Sequence, residues 1–192
     1  SENVTIISIH EKNRWPYTGK LEETNIKNIM NLPVSENLND AEIDHIICNA
    51  VLPYAKSIKP DLLIIQAGAD MLKGDPQSRI SLSINSYWKA VKDILSLCEN
   101  SIVLGGGGYN PYLTAKAWAG NWALLNDKVE LLNDEMKPEC YDLLKSLKWN
   151  NSRVRNGIPN SWINNWRDEI NNDKVSNHVL LLVNKVLKIK NI

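Results

Sequence analysis

The chain has 192 residues, of which 43% are hydrophobic and 23% charged, as expected for one ordinary globular domain or for part of a larger one. Lysine plus arginine and aspartate plus glutamate each number 22, so the formal net charge is zero. This balance argues against a dedicated nucleic-acid-binding protein, which normally carries a basic face. No apolar run approaches the roughly 18 residues of a membrane span, so we expect neither a nucleic acid nor a membrane as a partner.

The cysteines and the first residues of the chain bear on its location. Cys48, Cys98 and Cys140 are odd in number and far apart, which predicts reduced, buried thiols in a cytoplasmic protein. The opening Ser-Glu-Asn-Val-Thr-Ile lacks the basic start and cleavage site of a signal peptide. It enters an apolar run at once, so we expect upstream sequence to belong to the same domain.

Three short apolar runs predict strands, at Val4–Ile9, Leu62–Ile65 and Ile102–Leu104. The runs are continuous and do not alternate with polar residues, which predicts a parallel sheet that is covered on both faces. A helical pattern follows each run. Strands that alternate with helices predict an α/β fold with right-handed crossovers.

Several helix signals are specific enough to test. Asn39 and Glu42 have capping-box spacing, and Pro53 should interrupt the apolar helix that follows them. Asn110 and Pro111 are predicted as the N-cap and first residue of another helix. Further helical patterns run from Tyr87 to Cys98 and from Val175 to Leu187. From about residue 126 no strand pattern occurs, so we predict a helical and loop C-terminal extension of a single domain.

Ligands of open α/β sheets gather beyond the carboxyl ends of the strands. Asp70 follows the second predicted strand, and it is either a metal or acid–base carboxylate or an ordinary loop aspartate. Asp75 precedes Pro76 and is interpreted as a turn former. His10 could be a ligand, although a histidine that ends a strand is more often structural.

A glycine run, Gly105–Gly108, follows the third predicted strand and leads into Tyr109 and Asn110. Such a run permits close approach of the backbone to a ligand, and a phosphate cradle is one interpretation. No Lys-Ser/Thr follows it, however, and the spacing of a dinucleotide site is also absent. A tyrosine beside flexible glycines could instead donate a hydrogen bond to a developing oxyanion.

Three segments in order resemble motifs of the histone deacetylase family. The segments are Ile7–Glu11 with Trp15–Gly19, Gln66–Asp70 with Gly74–Pro76, and Gly105–Asn110. The Trp-Pro pair, together with the later stretch from Leu147 to Asn156, is most similar to the bacterial acetoin-utilisation branch. The resemblance implies an arginase/deacetylase-like fold, a three-layer α/β/α arrangement with a mainly parallel sheet, of which this chain would be the C-terminal portion.

The resemblance also implies an activity, the zinc-dependent hydrolysis of an acetylated lysine or a small acetylated amine. Asp70 matches a zinc-binding aspartate of the family, and Tyr109 matches the tyrosine that polarises the acetyl carbonyl. The positions that match the family's substrate-binding residues are Trp15, Gly107, Gly108 and Gln77. Gln77 stands where the family often has Leu or Met, which affects the expected acyl preference.

One part of the family's site has no counterpart here. The family binds zinc with an Asp-x-His pair besides the matched aspartate and takes its general base from a His-His pair, whereas this chain has three histidines in neither arrangement. A catalytic zinc normally has three protein ligands and one open position. We therefore expect an incomplete zinc site, a fragment that is inactive alone, and a partner that is the missing N-terminal half. A non-catalytic remnant or interaction module and a nucleotide-binding α/β module are the alternatives.

Overall fold

The computed structural model describes residues 3–133, 135–170 and 173–192. Its strands are β1 (Ile6–Glu11), β2 (Ile29–Val34), β3 (Leu63–Ala67) and β4 (Ser101–Gly105). Within those residues they form two parallel two-stranded sheets, β1–β2 and β3–β4. The predicted α/β fold with parallel pairing is confirmed.

Strand β2 was not predicted because Asn31 and Pro33 interrupt its apolar run. Proline has no amide hydrogen to donate to a neighbouring strand, yet Pro33 lies within β2, in register with His10 of β1. The side chain of Asn31 donates to the carbonyl oxygen of Lys20 at 3.2 Å and to Glu23 Oε2 at 3.0 Å. A polar side chain can therefore be buried within this strand because the loop between β1 and β2 supplies its partners.

In the part of the chain that the structure describes, seven α-helices cover or follow the strands. They are α1 (Asp40–Ile46), α2 (Leu52–Ile58), α3 (Ile84–Leu95), α4 (Pro111–Leu125), α5 (Pro138–Ser146), α6 (Asn160–Ile163) and α7 (Asn177–Lys190). A π-helical turn, Ile47–Val51, joins α1 to α2 just before Pro53. The predicted interruption is thus confirmed, since proline cannot donate the regular helical hydrogen bond.

Both predicted helix caps are present. Asn39 Oδ1 accepts from the Glu42 amide at 3.0 Å, and Glu42 Oε2 accepts from the Asn39 amide at 3.1 Å. Asn110 Oδ1 accepts from the amide of Tyr112 at 3.1 Å at the start of α4. Reciprocal bonds of this kind satisfy amides that the first helical turn leaves without partners.

Three details differ from the sequence predictions. Cys98 lies beyond the end of α3, and α7 begins at Asn177 and extends to Lys190. The thiols are free, but Cys48 is exposed and the other two are half-buried, so the prediction of buried cysteines is wrong. None of the described helices is both long and apolar enough to cross a membrane.

Each sheet buries one face against helices. From β1 and β2, the residues Ile7, Ile9, Met30, Leu32 and Val34 pack into one apolar core with α1, α2 and α7. From β3 and β4, the residues Leu63, Ile65, Ala67 and Val103 pack into a second core with α3 and α4. These cores hold the carboxyl ends of the strands in place.

The opposite face of the β3–β4 sheet is not covered, so the prediction of a sheet buried on both faces is wrong there. Ile64 and Ile102 are paired in register, and Leu104 follows on the same face of β4. These three side chains are 46% to 58% exposed, and we call them the sheet-face patch. A continuous apolar strand indicates that both of its faces favour burial. The pattern does not show which segments pack against each face.

Helix α4 approaches α3 closely at Gly120. The Trp88 side chain of α3 donates from Nε1 to the carbonyl oxygen of Ala117 at 3.1 Å. A Cβ atom on Gly120 would lie 2.0 Å from Cε2 of that ring. The glycine therefore leaves the space that a buried tryptophan occupies.

Gly120→Ala tests this packing. In an exposed helix, alanine for glycine adds about 1 kcal/mol of stability, whereas here we expect a loss of about 1–3 kcal/mol because the new methyl group overlaps the Trp88 ring. Urea unfolding measures the difference. As a control on the same helix, the exposed Ala115→Gly should lose only about 1 kcal/mol. A gain in stability for Gly120→Ala would contradict the close packing.

Candidate functional site

The loops that follow β3 and β4 meet at one edge of their sheet. Asp70 lies in a short 3-10 turn, Ala69–Met71, directly after β3. The amide of Ala69 donates to the carbonyl oxygen of Gly107 at 2.6 Å. Because the two strands are parallel, both of their carboxyl ends reach this edge, and the hydrogen bond joins the two loops there.

The glycine run permits a contact that side chains would prevent. A Cβ atom on Gly107 would lie 2.2 Å from Asp70 Oδ2, and one on Gly106 would lie 2.9 Å from the Cα atom of Gly68. The Asp70 carboxylate therefore rests on the backbone of the glycine loop. A carboxylate in this position also opposes a phosphate cradle, because it places negative charge where the phosphate would bind.

The electrostatic setting of Asp70 suits a bound cation. Burial raises the pKa of the Asp70 carboxyl, and the negative charges of Asp75 and Glu11 raise it further. Holding a half-buried carboxylate near two other acids is unfavourable without positive charge. Asp70 is thus well placed to act as one ligand of a metal ion.

Asp75 connects the loop of Asp70 to Tyr109. Its side chain is 2% exposed; Oδ2 accepts from the backbone amide of Tyr109 at 2.6 Å, and Oδ1 accepts from that of Gln77 at 2.8 Å. The bond from the Gln77 amide to Asp75 forms the turn that the sequence predicted. The Tyr109 bond crosses between loops and was not predicted, although the Gly-Asp-Pro stretch of the family motif already included Asp75.

The remaining predicted site residues are Tyr109, Gln77, Gly108 and Trp15. Tyr109 is 53% exposed, Gln77 is exposed, and Gly108 has a φ of 147°. Trp15 is 84% exposed and follows Arg14, with a cis bond to Pro16. Within the described part of the chain, no hydrogen bond or ring contact links Trp15 to Asp70 or Tyr109. The structure thus brings Asp70, Gly107, Gly108 and Tyr109 together and leaves Trp15 apart.

Glu11 joins the Trp15 loop to the loop that contains Gln77. Its carboxylate forms a 3.0 Å ion pair with Arg14. It also accepts from the hydroxyl of Ser78 at 3.1 Å and the amide of Arg79 at 2.9 Å. Glu11 therefore fixes both loops, while its charge acts on Asp70.

His10 is engaged through both ring nitrogens. Nδ1 is 2.9 Å from Ser8 Oγ, and Nε2 is 3.0 Å from the carbonyl oxygen of Gly19, to which it donates. Burial lowers the pKa of the imidazole. These bonds agree with the structural interpretation of His10 and leave neither nitrogen free for a metal.

The described residues do not form a complete zinc site around Asp70. Among them, the only three His, Cys, Asp or Glu groups close enough to hold one ion are Asp44, Cys48 and Asp93. These lie on the helices, and the Lys89 ammonium group already bridges Asp44 and Asp93. Asp70 supplies one ligand where a catalytic zinc normally has three from the protein.

Asp70→Asn should raise the free energy of unfolding at pH 7. The folded-state pKa of Asp70 lies above its ordinary value, so the stability that this group contributes is lost as the pH rises through the folded pKa. Asparagine cannot ionise and so removes the cost of the buried charge. The difference in the free energy of unfolding between the variant and the wild type should therefore become smaller as the pH is lowered. Urea unfolding in metal-free buffer measures both. Asp142→Asn, at an exposed position of α5, is the control and should change little. A lower stability for Asp70→Asn would show that the carboxylate has a stabilising partner.

Comparisons with known proteins find similarity to one family. The model of the histone deacetylase domain family matches residues 1–125. Histone deacetylase HOS1 of Saccharomyces cerevisiae is 31% identical over 121 residues, and histone deacetylase 8 of Xenopus tropicalis is 26% identical over 132 residues. The alignments cover 60% and 65% of this chain but only 26% and 36% of those proteins.

Solved structures show the same fold. An HDAC homologue from Aquifex aeolicus has a TM-score of 0.86 at 25% identity, covering 95% of this chain and 50% of its own. An HDAC homologue complexed with SAHA has a TM-score of 0.82 with the same identity and coverage. The arginase/deacetylase-like architecture is thereby confirmed. Since the family model matches well over half of its residues, the chain belongs to the histone deacetylase family.

Proposed function

We propose that this chain forms one side of a zinc-dependent deacetylase active site that hydrolyses an acetylated lysine or a small acetylated amine. The observation that carries the proposal is the contact between the loops after β3 and β4. It places the Asp70 carboxylate against Gly107 and anchors Tyr109 nearby through Asp75. Membership of the histone deacetylase family supports the class of reaction.

Tyr109 is the catalytic residue of this proposal. Its exposed side chain can reach a substrate, and its phenol hydroxyl donates a hydrogen bond to the amide oxygen as negative charge develops there. The bond from its backbone to Asp75 restricts where the phenol can be, which aids catalysis by positioning. Gly107 and Gly108 line the substrate path, Trp15 packs along the acyl-lysine stem, and Gln77 gives the wall a polar group.

A bound zinc ion would polarise the acetyl oxygen and lower the pKa of a water molecule. Asp70 is the one ligand that we assign in this chain, so the remaining ligands and the general base come from residues other than those described. The chain alone is therefore inactive in this proposal, and the N-terminal half of a deacetylase domain completes it. We further place the chain in the acetoin-utilisation branch and in the cytoplasm, based on its motifs and free thiols.

A non-catalytic interaction module is the second candidate, and the exposed sheet-face patch favours it. The nucleotide-binding alternative is weaker, because Asp70 occupies the glycine loop. The two leading candidates differ in whether adding the missing ligands restores hydrolysis.

Zinc content and hydrolysis of a fluorogenic acetyl-lysine peptide test the function directly. We expect the purified chain to hold well under one zinc per molecule and to show no turnover, because a single carboxylate cannot retain the ion. With the complementary half of a deacetylase domain present, zinc and turnover should both appear, and Asp70→Ala should remove both. If complementation restores zinc but no hydrolysis, the non-catalytic candidate is correct. One zinc per chain with turnover by the chain alone would overturn the ligand assignment.

Tyr109→Phe in the completed enzyme should lower turnover at least tenfold, since loss of one oxyanion donor typically costs about 10²–10³ in rate. The phenol is exposed, so the free energy of unfolding should stay within about 0.5 kcal/mol of wild type. Tyr141→Phe, on α5 outside the site, is the matched control. Unchanged turnover for Tyr109→Phe would rule out the assigned role.

A further inference from the structure

An open pocket lies beside the loop that anchors Tyr109, and the proposed chemistry does not use it. Its volume is about 430 Å³. Three of the residues that line it are basic, Lys73, Arg79 and Arg153, and we call it the basic pocket. Its wall also contains Asp75, whose carboxylate accepts from the Tyr109 amide. The basic pocket and the candidate site therefore share Asp75.

The two segments that form most of the wall, residues 36–37 and 73–81, are joined by backbone hydrogen bonds. The Asn37 amide donates to the carbonyl oxygen of Arg79 at 2.8 Å. Just beyond it, the Ser81 amide donates to the carbonyl oxygen of Leu38 at 3.0 Å. The backbone around the pocket is thus already ordered, which lowers the cost of binding a ligand there.

Several donors that line the pocket have no partner within the protein. In the described part of the chain, no hydrogen bond or ion pair engages Lys73 Nζ, and the side chains of Asn37 and Ser81 have none either. Arg153 donates from Nη2 to the carbonyl oxygen of Asp75 at 3.3 Å. The pocket therefore presents N–H and O–H groups, which suit a ligand with several acceptor oxygens.

The two acidic residues of the pocket already have partners. Glu36 Oε2 accepts from Arg79 at 2.8 Å, and both oxygens of Asp75 accept from backbone amides. The bond from Arg79, together with the charges of Arg14 and Lys12, holds the pKa of the Glu36 carboxyl below its usual value. The electrostatic potential at this wall is therefore positive.

The charge of the lining indicates the class of anion. Three basic and two acidic residues line the pocket, which leaves an excess of one positive charge. A carboxylate carries one negative charge and accepts charge-assisted hydrogen bonds from lysine and arginine. A phosphate monoester carries a negative charge of about 1.5–2 and would leave the pocket negative. The balance favours a carboxylate.

The position of the pocket relates it to the substrate. Gln77, which we assign to the wall of the substrate path, is followed directly by Ser78, which lines the basic pocket. Consecutive Cα atoms are about 3.8 Å apart, and an extended peptide advances about 3.3 Å per residue. A side chain next to an acetylated lysine on this path can therefore reach the pocket.

We propose that the basic pocket binds the carboxylate of an acidic side chain that neighbours the acetylated lysine of a peptide substrate. Lys73 and Arg153 donate to the carboxylate, and Asn37 and Ser81 supply further donors. This inference rests on the proposed function, whose substrate class it narrows to acidic peptides.

NMR titration of the isotope-labelled chain tests the inference without turnover. The probes are two pentapeptides with a central acetyl-lysine, one with glutamate and the other with glutamine on both sides of it. We expect the glutamate peptide to bind about fivefold more tightly, as two exposed ion pairs would provide, and to shift the amide signals of Lys73 and Ser81. The preference should disappear at high salt, which screens exposed charges.

Two variants at exposed positions change the charge of the pocket in opposite directions. Lys73→Gln removes a donor and should weaken binding of the glutamate peptide about threefold. Glu36→Gln removes a competing acid and should strengthen it about twofold. Lys185→Gln makes the same charge change as Lys73→Gln at an exposed position of α7, and it should leave binding unchanged. A general loss of folding cannot produce these opposite effects.

Equal binding of the two peptides, or a preference for glutamate that Lys73→Gln leaves intact, would overturn the inference. Inorganic phosphate that binds at the same amides more tightly than the glutamate peptide would do so too, because the ligand would then be a free anion. A glutamate preference without hydrolysis by the completed enzyme contradicts the deacetylase proposal alone. Hydrolysis without a preference for acidic peptides contradicts the basic-pocket inference alone.

Discussion

Two parallel pairs of strands each bury one face against helices, and the loops that carry Asp70 and Tyr109 depend on this packing. Met30, Leu32 and Ile46 are fully buried in the first core, and Ile84 and Ala117 in the second. Each large aliphatic side chain contributes about 1.5–3 kcal/mol on burial. The β3–β4 sheet is packed on one side only, so its face opposite the helices is open.

The loops at the carboxyl ends of β3 and β4 contain residues that lower the stability of the fold. The glycine run gives up backbone entropy, and Asp70 is a half-buried carboxylate whose neighbours are also acidic. Residues that destabilise the fold in this way are typical of functional sites. They agree with the role that we propose for Asp70 as a metal ligand.

The sequence predicted what depends on local chemistry. The capping box at Asn39, the cap at Asn110 and the interruption before Pro53 depend on groups within a few residues of one another, so their patterns are readable. Strand β2 could not be predicted because the partners of Asn31 lie 8 and 11 residues earlier, outside the strand, and only folding of the loop brings them to its side chain. The coverage of the β3–β4 sheet was predicted wrongly, because an apolar strand sequence indicates a preference for burial and not which segment packs against it.

In the candidate site, too, features set by neighbouring residues could be predicted and features set by residues far apart in sequence could not. Motif order was enough to single out Asp70 and Tyr109, since each follows directly after a strand. The bond from Asp75 to the Tyr109 amide spans 34 residues of sequence and depends on how two loops fold together. No local pattern contains such information, and a turn was the only role that the sequence of Asp75 could indicate.

Asp75 also has a contact that extends in the opposite direction. Its carbonyl oxygen accepts from Nη2 of Arg153 at 3.3 Å, in the 3-10 turn Ser152–Val154 beyond α5. A displacement of that turn is therefore passed to the backbone of Tyr109 through a single residue. As sequences diverge, insertions near Arg153 are constrained by the geometry of a tyrosine more than forty positions earlier, so this outlying segment should change in length less freely than its surface position alone would allow.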